Sequence, residues 1–195
     1  VFDLQGFNLK QVCKQIKAAG RNNILWWRND GRFYITNRHW IIRLPDDKLP
    51  REILIQLFSI FAEIPADGQI LSAVVRNKEN ISIPKDLDIV YGHMKNIKPG
   101  KITPFIKTSE SKHIPNLRVI QYKDQILYVN DDYIRMVDIE RETPYCTGKH
   151  SPVFFLDGTF AVLPMRQDDR SRNEETEFIN SKLIAATMVD AAAID

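Results

Sequence analysis

Trp26 and Trp27 stand side by side in a short run of apolar residues that ends in a turn. Neighbouring side chains on a β-strand point to opposite faces, so a strand holding both indoles places one on each side of its sheet. The sheet is therefore expected to be covered on both faces; the alternative, one Trp left exposed as a binding contact, stays open. The context supports a strand. Residues 24–28 and 32–36 flank Asn29-Asp30-Gly31, a tight-hairpin signal, and residues 39–44 are a third aromatic and β-branched run. Together they predict a three-stranded antiparallel meander.

A helix is predicted immediately before it. Asn8 is a good N-cap, Leu9, Val12, Cys13 and Ile16 recur at helical spacing, and Gly20 supplies a stop. Lys10, Lys14, Lys17 and Arg21 form a second stripe beside that apolar face. After the meander, Pro50 opens another helical pattern with Ile53, Leu54, Leu57, Phe58 and Phe61 as its apolar face, Asp46 or Asp47 as cap, and residues 65–68 as its end. Residues 70–75 and 80–83 read as strands. Residues 92–116 hold two glycines, three prolines and five lysines against Glu110 alone, which predicts a long basic loop interrupted by a strand at 102–106.

The opening pattern then returns. Residues 117–122 and 125–129 read as strands, and Asn130 or Asp131 caps a short helix carrying Tyr133, Ile134, Met136 and Val137. Residues 152–156 and 159–164 form a hairpin around Asp157-Gly158. Strand, helix and strands, twice over, is an α+β pattern with a pseudo-repeat in topology. Residues 1–166 are read as one domain, with halves at about 1–90 and 117–166 joined by the basic region. Residues 167–195 are read as a polar linker and a C-terminal helix.

Charge is unevenly spread over these 195 residues. Residues 1–43 carry eight Lys/Arg against two Asp, a net +6, whereas residues 167–195 carry three bases against seven acids, a net −4. A basic head with an acidic tail suits polyanion binding, or a tail that competes for the basic face. Cys13 and Cys146 are too few and too isolated for a disulfide framework or a zinc finger. His39, His93, His113 and His150 form no metal-ligand pair, and Thr147-Gly148-Lys149-His150-Ser151 lacks the upstream glycine of a phosphate loop. The expectation is a non-enzymatic chain without catalytic residue, metal or cofactor, although an enzyme with dispersed residues stays open. No apolar run reaches the ~18 residues of a membrane span, and the first residues lack a signal-peptide pattern. A cytoplasmic location is expected.

Asn130-Asp131-Asp132-Tyr133-Ile134-Arg135-Met136-Val137, then Ser151-Pro152-Val153-Phe154-Phe155, Gly158 and Ala161-Val162-Leu163-Pro164-Met165-Arg166, resemble the closing segment of bacterial DNA sliding clamps. The likeness runs from Gln125 to Arg166, with Leu163 in place of the first Met of a Met-Pro-Met-Arg type ending. The resemblance implies a clamp-like domain of two βαβββ-type halves, with helices on one face of antiparallel sheets. It implies that Lys10, Lys14, Lys17 and Arg21 contact the phosphates of duplex DNA without reading bases. It further implies that Leu163, Pro164 and Met165 belong to a groove taking short peptide motifs from a polymerase or other replication protein. The expected function is a processivity-type accessory factor of a phage or mobile element, acting as a homo-oligomer; the alternative is a protein–protein adaptor on the same fold without DNA affinity. The chain departs from the family in three respects. Acids surround Arg135 at the second helix, the length suits one domain where a clamp ring uses six, and a tail continues past the closing motif, where it is expected to be able to cover the groove.

Overall fold

A computed structural model of the chain describes residues 6–20, 23–73, 90–108 and 114–165. The protein has an α+β fold. Helix α1 (Leu9–Ala19) leads into strands β1 (Leu25–Asn29), β2 (Arg32–Thr36) and β3 (Trp40–Pro45), followed by helix α2 (Arg51–Phe61) and strand β4 (Ile70–Ser72). Next come β5 (Lys98–Pro99), β6 (Lys101–Lys107), β7 (Leu117–Tyr122), β8 (Gln125–Asn130) and the single-turn helix α3 (Asp131–Ile134). Strands β9 (Tyr145–Cys146), β10 (Val153–Phe155) and β11 (Phe160–Val162) complete the order.

Eight strands form one antiparallel sheet in the order β4-β1-β2-β3-β11-β10-β9-β5, and β6-β7-β8 form a second sheet of three. The hairpin between β1 and β2 turns on Asp30 and Gly31, both at positive φ, as two-residue turns matching the strand twist require. Two runs of a helix followed by three strands are present, α1 with β1–β3 and α3 with β9–β11. The last strands of these two runs, β3 and β11, lie side by side, so the order β1-β2-β3-β11-β10-β9 reads the same from either end.

Alternation along the strands builds two apolar layers. Trp26, Phe33, Ile35, Trp40, Ile42, Leu44, Val153, Phe155, Phe160 and Val162 face inward, where they meet Val12 and Ile16 of α1, Ile53 and Leu57 of α2, and the inner face of the small sheet. Leu25, Trp27, Ile41, Phe154 and Ala161 face the other way and are covered by Val90, Tyr91, Met94 and Ile97. Trp27 is 1% exposed and stacks on Tyr34 with ring centroids 4.9 Å apart. The sheet is thus covered on both faces, and the reading of an exposed Trp is set aside.

Four further expectations are corrected. Neither Asp46 nor Asp47 caps α2: they begin a 3-10 turn, Pro50 stands at the cap position without a side-chain bond, and Asp46 pairs with Arg28. Phe58 is not on the buried face of α2 but 51% exposed, because Ile53 and Leu57 take the core positions and Phe58 lies about a third of a turn past them. Of the loop expected over 92–116, the strand at 102–106 is present as β6, which pairs with β7, but it is preceded by a 3-10 turn at His93–Asn96 and by β5, which pairs with β9. The strand expected at 70–75 is β4, ending at Ser72. Arg21, the strand at 80–83, Arg166 and the expected linker and helix over 167–195 lie outside the described residues.

Candidate functional site

The basic stripe owes its orientation to the way α1 is anchored. Asn8 Oδ1 accepts a hydrogen bond from the Gln11 N–H at 3.2 Å, which satisfies one of the free donors of the first turn. Just before the helix, Phe7 bridges Val137, the Asn8 N–H donates to the Met136 carbonyl at 2.8 Å, and the Asp138 N–H donates to the Gly6 carbonyl at 3.3 Å. The start of α1 is thus tied to the segment leaving α3. Val12, Gln15 and Ile16 are buried. Lys10, Lys14 and Lys17 consequently stand exposed in one row.

One carboxylate meets that row. Asp132 Oδ1 lies 3.5 Å from Lys14 Nζ and accepts a hydrogen bond from Gln11 Nε2 at 3.2 Å, while the Asp132 carbonyl accepts a second from the same amide at 3.0 Å. Both charged side chains are more than half exposed, so the pair is weak. Lys10 and Lys17 carry no ion pair among the described residues.

Asp131 and Asp138, the other aspartates around α3, are engaged within the fold. Asn130 Oδ1 caps α3 through the Asp132 N–H at 3.0 Å. Asp131 is buried, with Arg118 Nε at 2.6 Å and Arg135 Nε at 2.7 Å, so one carboxylate answers two guanidiniums. Arg118 also donates from Nη1 to the Thr103 carbonyl at 3.2 Å. Asp138 accepts from the Glu140 N–H at 3.1 Å and lies 3.6 Å from Arg141. The acids that read as a negative second helix are therefore partly cancelled by Arg118, Arg135 and Arg141. Arg118 sits on β7, thirteen residues from its partner, and no local pattern ties it to Asp131.

Beside the N-terminal end of the stripe is an open depression of about 610 Å³, lined by Asn8, Gln11, Arg135, Asp138, Glu140 and Arg141. A second, of about 540 Å³, is lined by Gly6, Glu142, Tyr145, Leu156, Asp157 and Thr159. Partial burial pushes the Glu142 carboxyl above its ordinary value, against a backbone hydrogen bond from Leu156 and with added repulsion from Asp138 and Asp157. Burial pushes the Cys146 thiol up to about 12, so it is an inert apolar group rather than a nucleophile. Cys13 is raised as well, by burial and by the nearby carboxylate of Glu52.

The residues expected to form a partner groove lie at the end of β11. The Leu163 N–H donates to the His39 carbonyl at 2.8 Å, and the Met165 N–H donates to the Tyr128 carbonyl at 2.7 Å. The backbone thus passes from the large sheet to β8 of the small one. Leu163 is 41% and Met165 45% exposed, with Pro164 half-buried between them. A further apolar surface was not anticipated, on α2 and just beyond it: Ile55 is 57% and Ile64 49% exposed, with Phe58 alongside. A signal for it existed. Seven of the eleven residues of α2 are apolar, more than one helix face can bury.

Among the described residues, no helix is long and apolar enough to cross a membrane. No protein-family model matches the chain, and neither does any curated protein or solved structure.

Proposed function

We propose that this chain is a non-enzymatic, clamp-like protein that holds the phosphates of duplex DNA on helix α1, as a processivity-type accessory factor. The row Lys10, Lys14 and Lys17, exposed on one helix and met among the described residues by Asp132 alone, carries this reading. Phosphate contacts need point charges on a stable frame and no base-reading groups, and a lysine row supplies that. Supporting it are the twofold strand order about β3 and β11, which suits two related halves, and the internal pairing of Asp131, which lessens repulsion of a polyanion. Arg21 continues the row in sequence.

The test is fluorescence anisotropy of a labelled duplex across a salt series. Replacing Lys10, Lys14, Lys17 and Arg21 by Ala is expected to weaken binding at every sequence and to flatten the log–log salt slope by about one unit per lost contact. Absence of binding at low salt overturns the reading. So does an unchanged slope in the variant.

A second reading, an adaptor without DNA affinity, is favoured by one observation: Leu163 and Met165 are exposed apolar side chains on backbone pinned at both positions. Saturable binding of a Leu- and Phe-containing peptide, lost in a Leu163→Glu, Met165→Glu variant, supports it when DNA binding is absent.

A further inference from the structure

We infer that the exposed face of α2 is a self-association surface, and that its occupant is a second copy of this chain packed antiparallel across a twofold axis. The exposed positions Arg51, Ile55, Phe58 and Ala62 follow spacings of four, three and four, which places them in one straight seam. Ile55 and Phe58 at its centre are both more than half exposed, and residues 53–62 contain no charged side chain. Carbon-rich surface of this kind, unbroken by charge, favours removal from water.

The choice of a second copy follows from self-complementarity. In a twofold interface each residue i that meets j is matched by j meeting i. Set antiparallel about the middle of the seam, Ile55 faces Phe58 of the other copy and Phe58 faces Ile55, so a large and a medium side chain interdigitate twice. The same register sets Arg51 opposite Ala62, a small residue that leaves room for the guanidinium, beside Glu63. Arg51 and Glu63 are exposed and hold no ion pair among the described residues, so both are free to pair across the axis. Each end of the seam thereby carries one base and one acid. A parallel pairing instead juxtaposes like charges at both ends and brings Phe58 against Phe58.

Ile64, just past the left-handed cap at Ala62, extends the apolar surface. Eleven helical residues span only ~16 Å, so the interface is of the small, transient class. It does not depend on DNA binding. The stripe on α1 and the seam on α2 are different surfaces, joined through the packing of Gly20 against Ile60.

Sedimentation equilibrium of the full chain, from about 10 to about 500 μM, tests the interface. The expected result is a weight-average mass that rises toward twice the monomer value. Phe58→Glu is expected to hold the protein monomeric throughout, with an unchanged far-ultraviolet spectrum and melting curve, since the side chain is exposed. Arg51→Glu is expected to raise the dimerisation midpoint at least fivefold, and Arg51→Glu with Glu63→Arg to restore it. The charge exchange leaves the apolar seam untouched, so it reads the register independently of any folding defect. A wild-type protein that stays monomeric overturns the inference, whether the face binds nothing or the chain's own segment beyond Met165 lies on it. A dimer that survives Phe58→Glu overturns it too, and failure of the charge exchange to restore association overturns the antiparallel register.

Discussion

Asp131 shows how a residue's meaning changes once its neighbours are known. As part of an acidic run it reads as repulsive to DNA, yet it is buried between Arg118 and Arg135 and contributes little field outside. Glu142 behaves differently, because no cation among the described residues answers it and partial burial raises its pKa. A raised carboxyl pKa means that the folded state holds the proton more tightly than the unfolded state. The associated stability is present below the ordinary value of about 4.5 and is lost as pH rises through the raised folded-state value. Glu142→Gln should therefore flatten the loss of stability in that window. Urea midpoints of the two proteins between about pH 4 and pH 7 will converge at the acid end and separate toward neutrality, with the variant the more stable.

At the scale of elements, α1 is the part best specified locally. Its cap, apolar face and stop all lie within residues 8–20, and the helix forms as the pattern demands. Asn8→Ala removes the acceptor for the Gln11 N–H and is expected to cost about 1 kcal/mol of stability, measured by thermal unfolding. The same change should weaken DNA binding less than loss of any lysine of the row. By contrast, α2 was legible as a helix but not in its facing, since seven apolar residues in eleven do not say which ones the core takes. The strands β5 and β6 were only half legible. β5 is two residues long, and its backbone bonds go to β9, which lies far ahead in the chain.

The charge field belongs to the whole molecule. Asp132 reaches Lys14 only because α3 is tied to the start of α1 through Phe7 and Val137. Asp132→Asn removes that competitor and is expected to tighten duplex binding up to about fivefold, the most that an exposed pair is worth. Anisotropy at low salt reads the change, which should shrink as salt is raised. What the chain determines by itself is local. The α+β class, the Asp30-Gly31 hairpin, the three-stranded meander, the cap of α1 and the row Lys10, Lys14 and Lys17 all follow from periodicity and turn chemistry within a few residues. The tertiary structure alone decided that β3 lies beside β11, that Arg118 neutralises Asp131, and that Phe58 is left in solvent. These depend on contacts between residues far apart in sequence, where the pattern of one segment carries no record of which other segment will cover it.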